Sequence, residues 1–433
     1  MTIGIDLSTL QGPHKYRGIG EVTKNVVNFL PSEIKKDNLF IFFVQSNKKI
    51  IVEEELQLSN INYEVSTYFI KEKSSYKLPG KLNLMLKLIS KIKKYYKLRY
   101  GYNSFNKKDV SRLDYFIQFD PFGPMPKNTP KLIKALFVHD LIPYILEPDY
   151  LWNYSTARRH NFSRKSSIRV WARRLSYKLE YSLAIKNSKL IIANSRTTKN
   201  DFIKYLKISK EKIIIASLGI GSKDEEKSIK TMPTRRYLKT DWGYLDFNFD
   251  YLSKKQFILF VGGADPRRRI KDLVIAFNHL RATGVDIKLV LAGDCMKGPM
   301  DISTLETQIA LNTSSYIKDI IFLGYVNNHQ LNWLYANALC FVFPSIYEGF
   351  GLPVLEAMQF GCPVIAYPNE AVKEVAGNIP LYANNYIDIM EHILNLLNNS
   401  AQRDIIAKNS KKNIKNFSWA KTSLRLFSQL FNN

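Results

Sequence analysis

The chain is poor in cysteine and in acid. Cys295, Cys340 and Cys362 are the only cysteines in 433 residues. They are scattered and odd in number, which excludes a disulfide framework, offers no metal-ligand spacing and points to a reducing compartment. Asp and Glu number 38 against 63 Lys and Arg, a net charge of +25. Such an excess predicts an anionic partner: nucleic acid, an anionic membrane or phosphorylated small molecules. Long apolar runs are missing. Nothing approaches the ~18–20 residues that a spanning helix needs, and Leu39–Val44 is strand-sized. Met1 to Leu7 alternate as a strand does, without a basic segment leading into an apolar stretch, so no secretory leader is expected. These absences predict a cytoplasmic protein, with the inner face of the cell membrane as its one membrane contact. Internal repeats and low-complexity tracts are also absent, as is an Asp-x-Asp metal motif at a strand end. A basic nucleic-acid-binding protein is the rival class raised by the charge, but no recognition motif of that class occurs, and nucleic acid is not an expected partner.

What is present is enough apolar material, 45% of residues, for real cores. The length predicts two domains. Short apolar runs alternate with segments of helical period. They are Ile3–Leu7, Leu39–Val44, Leu113–Phe119, Leu132–Val138 and Leu190–Ala193, then Phe257–Val261, Ile287–Ala292, Ile320–Leu323, Leu339–Phe343 and Val364–Ala366. Strands alternating with helices predict parallel sheets covered on both faces. The runs are too many for one comfortable sheet, so the expectation is an α/β protein of two doubly wound Rossmann-like domains facing a cleft. Boundaries are expected at 1–240 for the first domain and 255–416 for the second, with polar Ser222–Thr234 and aperiodic Asp241–Asp250 between them. Ligands in such folds bind outside the carboxyl ends of the strands.

A basic insertion occupies residues 71–110, where twelve Lys and Arg face only Glu72 and Asp109. Within it Leu82, Met85, Ile89, Ile92 and Tyr96 form one helical stripe, with Lys87, Lys91 and Lys94 largely off it. This pattern fits a helix lying on an anionic membrane surface, or one docked on the first domain with a solvated basic face. A second basic block, Arg158 to Lys178, contains no acid.

The strongest chemical signal runs from Phe343 to Met358. A strand ends at Pro344, Gly349 and Gly351 allow a tight turn close to a ligand, and Pro353 suits the first turn of a helix. Free N–H groups and the positive dipole end at that helix start suit a phosphate. Glu348 precedes this seat and Glu356 lies about one turn beyond it. Each carboxylate can accept from two vicinal hydroxyls, so each can clamp a sugar.

Glu348 and Glu356, with GFGLPVL between them, resemble the E-x7-E signature of retaining glycosyltransferases of GT-B fold, specifically glycosyltransferase family 4. The resemblance covers nearly the whole chain, least well at 45–112 and 222–250. It implies a donor that is a nucleotide-diphosphate sugar, no metal cofactor, and transfer to a hydroxyl of a glycan acceptor, lipid-linked or polymeric, in cell-surface polysaccharide synthesis. A nucleotide-sugar epimerase or a phosphorylase of the same fold is the enzyme rival. In Val261-Gly262-Gly263-Ala264-Asp265-Pro266-Arg267-Arg268-Arg269 the position matching the family's phosphate-contacting Lys is Arg268. Gly263 stands where many members have Arg, so the second cation is either missing or supplied by Arg267 or Arg269. Leu289–Asp294 and Phe322–Val326 resemble two further strand ends, with Val326 near the base. In the first half, Arg17-Gly18-Ile19-Gly20 resembles the glycine loop bordering donor phosphates and acceptor. Val138-His139-Asp140 resembles the active-site His segment. Asn194-Ser195 resembles another hallmark, though capping of the next helix accounts for it. The implied set is therefore His139, Glu348 and Arg268 for catalysis. Gly18, Gly20, Gly263, Val326, Gly349, Phe350, Gly351, Leu352 and Glu356 would bind the donor, and Arg17 and Asp140 the acceptor. The helical pattern of Phe417–Phe431, within a tail at 417–433, is expected to cross back to the first domain.

Overall fold

The structure is a computed structural model. It describes residues 1–433 except 12–14, 16–17, 47–51, 69–104, 127–128, 130, 151–162, 222–235, 241–242, 248–251, 253, 294–295, 297–304 and 433. The chain forms two units, Met1–Leu218 with Trp419–Asn433, and Gly219–Ser418.

The first unit is built on seven strands: β1 (Thr2–Asp6), β2 (Leu39–Gln45), β3 (Asn62–Tyr68), β4 (Tyr115–Gln118), β5 (Ile133–Val138), β6 (Leu190–Ala193) and β7 (Ile213–Ile215). They form one parallel sheet in the order β3-β2-β1-β4-β5-β6-β7. The order reverses between β1 and β4, which makes the crevice beyond their carboxyl ends the switch point of this sheet. The central strands are apolar on both faces because helices cover both. Ile3, Ile5, Phe40, Phe42, Phe116 and Phe137 are wholly buried.

The second unit starts with an antiparallel hairpin, β8 (Arg236–Thr240) and β9 (Gly243–Phe247). Six further strands follow: β10 (Phe257–Val261), β11 (Lys288–Ala292), β12 (Ile320–Gly324), β13 (Cys340–Phe343), β14 (Val364–Ala366) and β15 (Leu381–Tyr382). They are parallel in the order β12-β11-β10-β13-β14-β15, with the switch point between β10 and β13. Phe257, Leu259, Leu289, Leu291, Phe341 and Phe343 fill the interior. Each fully buried side chain of this size contributes about 1.5–3 kcal/mol.

Each expected apolar run holds a strand of one of the two sheets. Of the strands not expected, β3, β7 and β15 lie at the sheet edges, and β8 and β9 form the hairpin, the latter in a stretch read as aperiodic. β3 reads Asn-Tyr-Glu-Val-Ser-Thr-Tyr and leaves Asn62, Glu64, Val65 and Thr67 exposed, while β7 and β15 span three and two residues. Edge strands need little apolar sequence, so periodicity misses them. The first unit ends at Leu218, before the expected 240, and the hairpin belongs to the second. The second extends to Ser418.

The last helix, Trp419–Phe431, groups with the first unit. Its buried face carries Trp419, Leu426, Phe427 and Leu430. Phe427 meets Phe40 edge-on at 6.3 Å. Ser423 Oγ donates to the Val26 carbonyl at 2.9 Å, and Thr422 Oγ1 to that of Ser217 at 2.7 Å. The basic stripe at 82–99 lies outside the described residues. The second basic block falls partly on a long helix, Arg164–Asn187, which exposes Arg164, Arg169 and Arg173. No helix among the described residues is long and apolar enough to cross a membrane.

Candidate functional site

Two loops meet at the β10/β13 switch point. The first leaves β10 through Gly262 and Gly263 into a short 3-10 turn, Pro266–Arg268, and then the helix Ile270–Ala282. The second leaves β13 through Pro344 and Ser345 and enters the helix Leu352–Gln359. A backbone hydrogen bond from Ile346 N to Arg267 O, 2.9 Å, ties them together.

That tie places Glu348 against two guanidinium groups. Arg267 Nη2 lies 3.4 Å from Glu348 Oε2, and Arg268 Nη2 lies 3.8 Å from Oε1. Glu348 is 9% exposed and Arg267 7%. Desolvated charges persist only when paired, and Asp265 adds contacts at 3.7 Å to Arg267 and 3.9 Å to Arg268. Ser345, wholly buried, donates from Oγ to Glu348 Oε1 at 2.8 Å. Asn369 Nδ2 holds the Ser345 carbonyl at 2.7 Å, which anchors the loop from the far side. The Arg268 guanidinium also sits 5.8 Å over the Phe343 ring.

The three consecutive arginines therefore divide. Arg267 and Arg268 turn inward to Glu348. Arg269 takes a left-handed conformation, φ 47°, which points it elsewhere. Its Nε donates to Asp272 Oδ2 at 3.0 Å, and Tyr367 OH donates to the same oxygen at 2.6 Å. Of the two second cations left open by the sequence, Arg269 is thus engaged away from Glu348, and Arg267 stands beside it.

A glycine outside the expected set shapes this corner. A Cβ built on Gly262 would lie 1.8 Å from Arg268 Nη1, and its φ is +149°. Gly263, the expected position, meets only Asp265 Oδ2 at 3.3 Å. The clue in the sequence was the doubled glycine, which does not say which of the two the fold needs.

The second loop delivers Gly349, Phe350 and Gly351 to the helix start. Phe350 is buried, edge-on to Phe417 at 6.2 Å. Gly351 is left-handed at φ 97° and precedes Leu352, the first helical residue, with Pro353 in the first turn. Leu352–Gln359 then carries Glu356, half-buried, whose Oε2 accepts from Tyr335 OH at 3.2 Å. Val326 is buried beyond the end of β12, next to half-exposed Tyr325. Asp294, at the matching end of β11, lies outside the described residues. The arrangement can hold an anion between guanidiniums and a helix start, and a carboxylate one turn along can accept from hydroxyls.

In the first unit, His139 follows β5. Its ring lies 5.1 Å from that of Phe137, and Nε2 sits 3.1 Å from the Phe119 carbonyl. A carbonyl only accepts, so Nε2 carries the proton in that contact. Asn194 Nδ2 donates to the His139 carbonyl at 2.9 Å. Capping of the helix Arg196–Leu206 falls to Ser195, which accepts from Thr198 N at 2.9 Å. The capping account therefore suffices for Ser195 but not for Asn194. Asp140 Oδ1 accepts from Ile142 N at 3.0 Å, a local turn cap. Gly18 and Gly20 open the helix Gly18–Asn28, and Arg17 lies outside the described residues.

Asp6, at the end of β1, is a buried acid that the sequence did not single out. It is wholly buried, accepts from Ser8 Oγ at 2.6 Å and from Tyr68 OH at 3.2 Å, and sits at the switch point of its sheet. Burial pushes its carboxyl up to about 7; the Asp120 charge adds to this, while the Ser8 and Tyr68 bonds oppose it.

Residues 246–413 match the family profile described as "Glycosyl transferases group 1". The matched stretch lies within the second unit and runs from the end of the hairpin through the helices after β15. O-antigen chain mannosyltransferase B of Escherichia coli is 30% identical over 240 residues, 54% of this chain and 58% of that protein. The capsular polysaccharide biosynthesis glycosyltransferase CapM of Staphylococcus aureus is 25% identical over 242 residues, 52% of this chain and 57% of that one. The chain thus spans little more than half the length of these curated relatives. Anabaena HepE, solved in complex with UDP-glucose, shares the fold with a TM-score of 0.60 at 14% identity, over 100% of this chain and 99% of that one. Both units are thus Rossmann-like and share the GT-B fold, and the matched stretch contains both Glu348 and Glu356.

Proposed function

We propose that this protein is a retaining glycosyltransferase that moves a sugar from a nucleotide-diphosphate sugar to a hydroxyl of a glycan acceptor in surface-polysaccharide assembly. The observation that carries this reading is the pair of arginines, Arg267 buried and Arg268 partly buried, facing Glu348 at the β10/β13 switch point, followed by Glu356 one turn into the next helix. In this reading Glu356 accepts from the ribose hydroxyls, and the segment at Val326 faces the base. The Gly349–Leu352 backbone amides and Arg268, with Arg267 beside it, receive the diphosphate. Glu348 orients the transferred sugar.

Charge develops on the leaving diphosphate as the anomeric carbon–oxygen bond breaks. Fixed guanidiniums and amides stabilise that charge more than they do the intact donor, so the reading calls for no metal. The acceptor oxygen attacks from the face the diphosphate leaves, and the leaving phosphate oxygen takes its proton. The configuration at the anomeric carbon is thereby retained. Glu348 and Glu356 are both engaged with the donor, and no enzyme nucleophile is invoked. His139 positions donor or acceptor, with Arg17 and Asp140 on the acceptor side.

The mannosyltransferase relative supports a nucleotide-activated mannose as the first donor to try. The net charge of +25 and the exposed Arg164, Arg169 and Arg173 support an acceptor that is lipid-linked or polymeric and is met at an anionic membrane surface on the cytoplasmic side. Thermal shift against UDP-, GDP-, ADP- and dTDP-sugars identifies the donor, since a bound ligand raises the melting temperature by mass action. Proton NMR of the product made with that donor, in EDTA, then tests the chemistry. An anomer matching the donor's is expected. An inverted product refutes retention, free sugar or epimer alone refutes transfer, and activity lost in EDTA and restored by a divalent cation refutes the metal-free route.

A further inference from the structure

We infer that Tyr335 is a positioning residue for the donor: its hydroxyl holds the Glu356 carboxylate in the orientation that grips the ribose. The inference rests on the reading of Glu356 as the ribose ligand and extends it to a residue on another element. Tyr335 lies near the end of the helix Asn328–Asn337 and is 1% exposed. A buried phenol must find its partner inside the protein, and Glu356 Oε2 accepts from it at 3.2 Å.

The ring is held from two sides. Phe360 stacks on it at 6.2 Å with 9° between the planes, and Phe341 meets it edge-on at 5.4 Å. The hydroxyl therefore has one place to point. Burial raises the phenol well above its ordinary range, and the Glu356 charge raises it further, so it stays a donor throughout the neutral range.

Ribose recognition needs this kind of support. A carboxylate that accepts from two vicinal hydroxyls must present its plane to both, and an unsupported Glu spends rotamer freedom to do so. A carboxylate oxygen accepts more than one hydrogen bond, so Oε2 can keep Tyr335 while receiving a ribose hydroxyl. The same helix starts directly after the segment placed near the base. Asn327 and Gln330 cap it reciprocally, with Gln330 N to Asn327 Oδ1 at 2.9 Å and Asn327 N to Gln330 Oε1 at 3.1 Å. One rigid element thus joins the base-facing residue Val326 to the support of the ribose carboxylate.

The test uses the full chain, calorimetry, and whichever of UDP and GDP binds, together with its 2′-deoxy and 3′-deoxy forms. Wild type should prefer the ribonucleotide by about tenfold, the worth of hydrogen bonds to a charged group. Glu356→Gln should lose most of that preference. Tyr335→Phe removes one oxygen and leaves the packing, so its melting temperature should stay near that of wild type. It should lose a large part of the preference, with the donor KM raised and kcat nearly kept. If wild type does not distinguish ribose from deoxyribose, the reading of Glu356 falls and the inference with it. If Glu356→Gln loses the preference and Tyr335→Phe keeps it, the Tyr335 inference alone is overturned. It is equally overturned if Tyr335→Phe weakens ribo and deoxy forms by the same factor, the mark of a purely structural role.

Discussion

The Arg268 guanidinium occupies the space where a side chain on residue 262 would begin: Nη1 lies 1.8 Å from the position of a Cβ on Gly262. A glycine and a cation six residues apart thus form one device, in which the absence of a side chain seats the charge.

Gly262→Ala should therefore mimic loss of Arg268. Both Gly262→Ala and Arg268→Ala should cut transfer by roughly 10²–10³, the usual cost of removing a group that stabilises developing charge. The double variant should be little worse than either single one. Arg268→Lys should keep a good part of the activity, and Arg269→Ala should keep nearly all of it, because Arg269 is spent on Asp272. Initial rates at saturating acceptor check this. A fully active Gly262→Ala enzyme, or an inactive Arg269→Ala one that still folds, would contradict it.

The two glutamates should separate in calorimetry with the free nucleotide diphosphate. Glu356→Ala should lose about tenfold or more in affinity, since a hydrogen bond to a charged group is worth roughly 1.5–3 kcal/mol. Glu348→Ala should bind the nucleotide more nearly as wild type does and lose turnover instead. Its removal also leaves Arg267 and Arg268 without their buried counter-charge, so a lower melting temperature should accompany the loss. Wild-type nucleotide affinity in a folded Glu356→Ala protein would show the donor assignment to be wrong.

Asp6 should imprint a pH dependence on stability. Its carboxyl is pushed up to about 7 from an ordinary value of 3.8. Between those values the folded chain keeps a proton that the unfolded chain has lost. This contribution to stability therefore falls as pH rises through that window and stays low above pH 7. Asp6→Asn cannot ionise, so its melting temperature relative to wild type should improve from pH 5 to pH 8. Each pH unit of raised affinity is about 1.4 kcal/mol, so the change should be easily measured. A difference that stays flat across that range would remove Asp6 from the account.

The membrane proposal concerns the stripe Leu82, Met85, Ile89, Ile92 and Tyr96 and the neighbouring lysines. Reversing Lys87, Lys91 and Lys94 to Glu should release the protein from vesicles rich in anionic lipid. Each basic residue near such a surface contributes on the order of 1 kcal/mol, and salt screens it. Activity on a short soluble acceptor should survive. Wild type that fails to co-sediment at low salt would leave the charge of +25 to a polyanionic acceptor.

The central strands of both sheets and the loop from Phe343 to Met358 were legible in the amino-acid sequence, because the signals are local. Apolar runs of strand length, alternating with helical periods, specify parallel layers. Gly349, Gly351 and Pro353 act on their own backbone, so the helix that starts at Leu352 and carries Glu356 could be placed before any fold was known. Only the tertiary structure decided which arginines face Glu348. Arg267, Arg268 and Arg269 are chemically alike and adjacent, and their directions depend on a single left-handed residue and on Asp272, itself held by Tyr367 from the far end of β14. The part played by Gly262, the Asn194 bond to His139, the burial of Asp6 and the Tyr335 bond to Glu356 likewise come from segments distant in sequence or from packing that no local pattern encodes. Periodicity records which way a side chain faces on its own element, whereas a site is made where the ends of several elements meet.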